Sequence, residues 1–278
     1  MCSRLRKDVY YFLANLLIAE LTKSIDTLIV LLTNNSRSEA GLTAIADLAI
    51  ITSILKRDHP GIDSFELADA ILALLENPVL RPRFENPGPE EWALHVARVC
   101  LNIDKERERL SSSMIIKLIE DSKRVVLSLG PPWRLDEVAY VETCVTGSDL
   151  PKLRTISIGA YNISLYELTH NALYATDFGR VSIEGAITNQ LASTATEALS
   201  GLVDTEEDWD LGTELLLAVK FLTGKWPIGA DVWLEKLMPK WSQNAVSKLH
   251  SHPDLFMSLY HQMSITALTF SQYAKNGR

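Results

Sequence analysis

The chain has 278 residues, 47% of them hydrophobic, which is enough to build a substantial core as one large domain or two smaller ones. A net charge of −8, with no Lys/Arg run longer than "RLRK", argues against a nucleic-acid partner, because binding a phosphate backbone needs concentrated positive charge. No apolar run approaches the roughly 20 residues of a membrane-spanning helix.

The opening "MCSRLRKDVYYFLANLLIAELT" has basic residues before an apolar stretch, as a signal peptide does. Asp8, Asn15 and Glu20 interrupt that stretch and no small-x-small cleavage pattern follows, so it reads as a first core helix. Cys2, Cys100 and Cys144 are odd in number and widely spaced, without CxxC or Cys/His spacing. They indicate neither a disulfide framework nor a zinc site, and a reducing cytoplasm is the simplest expectation.

Apolar residues recur every three or four positions along nearly the whole chain, which predicts an all-α protein. The first helix is expected over about residues 6–33, ending in "TNNSRSEAG", and the second over about 40–56, closed by Pro60 and Gly61. A third opens with an N-cap at Asp63 or Ser64 and stops at "ENP"; a fourth follows "NPGPEEW". A long segment at about 104–129 stops at "LGPPW", and a shorter helix covers "LDEVAYVETCV" before the loop "TGSDLPKLRT". The second half holds helices at about 164–178, 184–202, 206–223, 229–238 and 254–274. About ten helices with short connections predict stacked antiparallel hairpins, as a curved solenoid or a closed α/α arrangement. The chain reads as one domain over 1–278, divisible into pseudo-halves 1–150 and 151–278, with a faint likeness between "SLYELTHNALYATDF" and "SLYHQMSITALTF".

"SLYELTHNALYATDFG" at 164–179 is the segment with most chemistry. Steps of four and seven residues place Tyr174 and Asp177 each within about 40° of His170 on a helix. An imidazole, a phenol and a carboxylate are the ingredients of general acid–base catalysis. The plainer alternative is a satisfied core histidine, with Asp177 capping the "DFGR" turn beside Arg180. Asp177 near a helix C-terminus opposes the dipole, so a partner is expected to hold it. Glu167, three residues after Ser164, reads as half of a capping box.

Asp47 in "GLTAIADLAIITSIL" must be paired, line a pocket or reach solvent, and Glu214 and Lys220 in "TELLLAVKFLTG" are similarly placed substrate-binding candidates. The set lacks HExxH or paired ExxH spacing, so no metal is expected; His250, His252, Asp254 and His261 read as structural. Gly-rich phosphate loops, GxSxG, dinucleotide fingerprints and DDxxD clusters are absent from the sequence, so no cofactor is expected.

At "YELTHNALYATDFGR" the chain resembles an all-helical bacterial family associated with natural-product pathways, and in size and style it is similar to the proteins implicated in aziridine formation in azinomycin-type and vazabitide-type antibiotic pathways. The resemblance implies that a substrate held on an amino-group carrier protein closes a strained nitrogen ring: its amine displaces a sulfate-like or phosphate-like group, without a cofactor. It also implies a haloacid-dehalogenase-like protein as partner. Asp177 or His170 is then the base, and Tyr174 with Lys220 supports the departing oxyanion. "KRVV" and "KLRT" are the basic patches on offer to an acidic carrier. The rival expectation is a noncatalytic helical scaffold with exposed aromatics at Trp226, Trp233 and Trp241.

Overall fold

In the computed structural model, residues 2–33, 38–82, 133–156, 163–205, 208–241 and 253–275 are described, with scattered positions between 96 and 127. Ten α-helices run through the described residues, with no strand among them, so the chain is all-α as its periodicity predicts. Most of the expected fourth helix and of the 104–129 segment lies outside the described residues, as do His250 and His252, while Val96, Ala97 and Cys100 are described as helical. The chain forms two compact units, one from both chain ends (Met1–Ser111 with Met238–Arg278) and one from the middle (Ser112–Leu237).

The first unit contains α1 (Cys2–Ser24), α2 (Thr27–Thr33), α3 (Ser38–Asp58), α4 (Phe65–Leu75), a short 3₁₀ turn (Met238–Trp241) and α10 (Pro253–Lys275). On α1 the buried residues Tyr10, Leu13, Ala14, Leu17, Ile18 and Leu21 follow the three-and-four spacing of an amphipathic helix. That stripe faces α10, where Tyr10 meets Phe270 and Tyr273 at ring-centroid separations of 5.3 and 5.1 Å. Helix α3 also packs on α10 and on α2 and α4, which explains why its apolar residues are buried on several sides. The α3–α4 turn is tied to α1 by Asn15, whose Oδ1 accepts from the Asp63 amide at 2.8 Å. Ser64 occupies the expected N-cap position of α4 but makes no side-chain cap bond, and its hydroxyl is buried without a hydrogen-bond partner.

The middle unit contains α5 (Trp133–Thr146), α6 (Ile163–Ala175), α7 (Ala186–Thr205), α8 (Trp209–Thr223) and α9 (Ala230–Leu237). Helix α8 is its axis: every residue from Leu211 to Leu222 except Lys220 is buried, because α6 and α7 both pack against it. Asp208 starts α8 as an N-cap accepting from the Leu211 amide, and left-handed Gly224 (φ 71°) ends it. Gly212 lets α9 come close, since a Cβ there would lie 2.1 Å from the Trp233 ring.

Candidate acid–base site on α6 and α8

Helix α6 ends earlier than the periodicity predicts. The expected helix to 178 stops at Ala175, because Asp177 and Phe178 adopt left-handed conformations (φ 48° and 53°). The Phe178 amide donates to the Leu173 carbonyl at 2.8 Å and the Asp177 amide to Tyr174 at 3.2 Å, the paired bonds of a Schellman ending. Thr176 donates to the Ala172 carbonyl at 2.7 Å and accepts from the Gly179 amide at 3.2 Å. A side chain at Gly179 would collide with Phe221 on α8. "TDFG" is therefore a helix stop docked on α8.

This ending separates the three residues expected on one face. Asp177 turns off the helix, where its Oδ1 accepts from the Tyr140 hydroxyl of α5 at 2.8 Å and its Oδ2 lies 3.4 Å from half-exposed Arg180. Tyr140 is the partner its position near a helix end calls for. Tyr174 is buried, its ring 5.3 Å from Tyr140, 5.6 Å from Phe178 and 6.1 Å from His170. His170 and Tyr174 thus remain neighbours, and Asp177 belongs to the turn.

His170 faces α8 instead. Its Nδ1 lies 2.9 Å from the Tyr166 carbonyl and 3.4 Å from Oε2 of Glu214, a carboxylate with 0% exposure. Because a carbonyl only accepts, Nδ1 carries the hydrogen, and in the neutral ring the lone pair sits on Nε2. Thr169, also fully buried, donates its hydroxyl to Glu214 and reaches the Tyr166 carbonyl at 2.9 Å. Both Thr169 and Glu214 meet the imidazole at Nδ1, so a nucleophilic relay, which needs the hydroxyl at Nε2, is not what this geometry builds. It builds an oriented base with a carboxylate placed to stabilise the imidazolium.

Tyr166, one turn before His170, completes the cluster. Its hydroxyl lies 3.2 Å from Asp208 and 3.1 Å from Asp210 at the start of α8. Burial, and then the negative charges of Asp210, Asp208 and Glu214, push its phenol well above the ordinary range, so Tyr166 remains a neutral hydrogen-bond donor. Tyr166, Thr169, Asp208 and Asp210 are absent from the sequence-derived candidates. The signal available was the pair of four-residue steps, Tyr166 to His170 and Asp210 to Glu214, each keeping two polar groups on one helical face.

The other candidates have local partners. Lys220 donates to the Gly224 carbonyl, its ammonium lies 5.8 Å from the Trp226 ring centroid, and burial lowers its proton affinity. Asp47 belongs to the first unit, where it accepts from the Tyr260 hydroxyl at 3.0 Å and lies 3.7 Å from His261. Ser164 lies inside α6 rather than at its cap, and Glu167 pairs with Arg154 at 3.0 Å, which replaces the expected capping box. In the expected basic patches, Lys123 pairs with Glu142, Arg124 with Asp121, and Arg154 with Asp136 and Glu167. Trp233 and Trp241, expected as exposed aromatics, are buried at 0% and 3% exposure.

A protein family described as a domain of unknown function (DUF6895) matches residues 136–268. The match starts at Asp136 and covers all of α6 and α8, so the residues of the cluster lie inside the region that resembles this family. No curated protein matches the chain, and no solved structure does. No helix among the described residues is long and apolar enough to cross a membrane.

Proposed function

We propose that the chain is a cofactor-independent enzyme in which His170, oriented by Glu214, removes a proton from an amine substrate. The observation that carries the reading is the fully buried Glu214 carboxylate 3.4 Å from His170 Nδ1, on the side of the ring opposite the basic nitrogen. A buried carboxylate costs several kcal/mol to hold unless it is well paired, and its partners include a hydroxyl and an imidazole that changes charge when it takes a proton.

The finer reading rests on the resemblance of the "YELTHNALYATDFGR" segment to aziridine-forming proteins. His170 Nε2 takes a proton from the substrate ammonium, and the freed nitrogen attacks the adjacent carbon. The carbon–oxygen bond to the sulfate-like or phosphate-like group breaks, its electrons leave with that oxyanion, and the ring closes as a protonated aziridine. Holding nitrogen and carbon in line supplies much of the acceleration. Tyr174 forms a wall beside the imidazole, while Asp177 and Lys220 fix the ends of α6 and α8. The substrate arrives on an amino-group carrier protein, with a haloacid-dehalogenase-like partner, in the cytoplasm.

The test follows the mass of the carrier-bound intermediate with wild type, His170→Ala and Glu214→Gln, each checked for cooperative unfolding. Loss of the leaving-group mass with wild type but not with folded His170→Ala supports the reading. Unchanged turnover in both variants removes His170 as the base, and no mass change with the wild-type chain and its neighbouring pathway proteins removes the ring-forming reaction.

A further inference from the structure

The connection from α5 to α6 is longer than its job requires. The two helices pack against each other, yet the described part of their connection, residues 147–156, already exceeds the two to eight residues that usually link neighbouring helices. Residues 147–156 have no regular secondary structure, and they are fastened back onto both helices. Thr143 of α5 donates to the Asp149 carbonyl at 2.9 Å. Asn171 of α6, fully buried, accepts from the Arg154 amide at 3.1 Å and donates to the Lys152 carbonyl at 3.2 Å, using its side-chain amide as a strand would use a peptide group. The Arg154 guanidinium then bridges the helices, 2.9 Å from Asp136 on α5 and 3.0 Å from Glu167 on α6.

We infer that residues 147–156 are a latched cover on the α5/α6 pair, closed by the Arg154 clasp and able to open without unfolding the helices beneath. Its fastenings are the kind that release. Ile156 is its only buried apolar residue, Leu150, Pro151 and Leu153 are half-buried, and its polar attachment is hydrogen bonds and one guanidinium shared by two carboxylates. Local openings draw on segments with few buried apolar contacts, and partly exposed ion pairs weaken with salt. Gly147, left-handed at φ 71° and with open space where a Cβ would stand, gives a hinge at the α5 end. The latch stands on these contacts alone and does not depend on the function proposed above.

Hydrogen exchange on the full chain tests the latch independently of turnover. The Arg154 amide and its neighbours in 148–156 should exchange through an opening that leaves the α5 and α6 amides protected. Arg154→Gln should speed that exchange roughly two- to fivefold, and raising salt on wild type should act in the same direction. Asp136→Asn, which keeps Asn171 in place, should act in the same direction. The inference is overturned if the 148–156 amides exchange only together with those of α6, or if neither salt nor Arg154→Gln changes their rate. Neither result depends on whether His170 is a catalytic base, which the mass measurement decides separately.

Discussion

Thr169 and Glu214 are joined by a hydrogen bond between two side chains with 0% exposure, across the contact of α6 with α8. A buried carboxylate that loses a donor keeps its desolvation cost without compensation. Thr169→Val, nearly isosteric, should therefore destabilise the protein by about 1–3 kcal/mol, whereas Thr169→Ser, which keeps the hydroxyl, should recover most of that loss. Urea unfolding of the three proteins at one pH measures it. If valine is tolerated as well as serine, the Thr169 hydroxyl does not support Glu214.

Gly212 and Trp233 make a second joint of the middle unit. A methyl group at 212 would stand 2.1 Å from Cζ2 and 2.2 Å from Cη2 of an indole that is itself fully buried. Gly212→Ala should cost about 1–3 kcal/mol by overpacking, despite alanine's better helix propensity. Combining it with Trp233→Leu should give less than the sum of the two losses, because the smaller side chain removes the collision. Additive losses would mean that the two residues do not share this contact.

The helical character of the chain was legible because it depends on local periodicity, and helices α6, α8 and α10 lie close to where apolar spacing and turn residues put them. The end of α6 was less legible: "TDFG" ends the helix through left-handed Asp177, a conformation that asparagine and aspartate tolerate better than most side chains but that spacing alone does not reveal. Least legible was the pairing of His170 with Glu214, which stand 44 residues apart and meet only because α6 packs on α8. Both SLY motifs illustrate the same limit. Within its own unit, each tyrosine finds aspartate on another helix, Tyr166 at Asp208 and Asp210 and Tyr260 at Asp47, partners that no local pattern names.

Asp177 offers a way to separate a turn residue from a catalytic one. Asparagine tolerates the left-handed conformation and retains an oxygen to accept from Tyr140, while losing the charge that faces Arg180. Asp177→Asn should leave stability within about 1 kcal/mol of wild type, since the Arg180 end of the pair is exposed and the two groups are 3.4 Å apart. It should also leave turnover intact in the mass assay, where His170→Ala abolishes it. Loss of turnover in a stable Asp177→Asn protein would return the role of base to Asp177.

His59, at the end of α3, gives the first unit a pH dependence of its own. The residue is 2% exposed, and neither ring nitrogen has a hydrogen-bond partner. Burial, with Lys275 beside it, lowers its pKa from 6.5 to about 4, while Asp58 opposes the shift. Between those values the unfolded chain binds a proton that the folded chain refuses, so stability rises with pH through that window. The penalty is absent above about pH 6.5 and grows to about 3 kcal/mol by pH 4, the free-energy equivalent of the shift. Carboxylates titrate in the lower part of the same range, so the informative quantity is the difference between wild type and His59→Leu. Denaturation midpoints from pH 7.5 down to 4.5 should fall more steeply for wild type than for the leucine variant. Parallel profiles would mean that His59 takes up its proton in the folded protein at the ordinary pH.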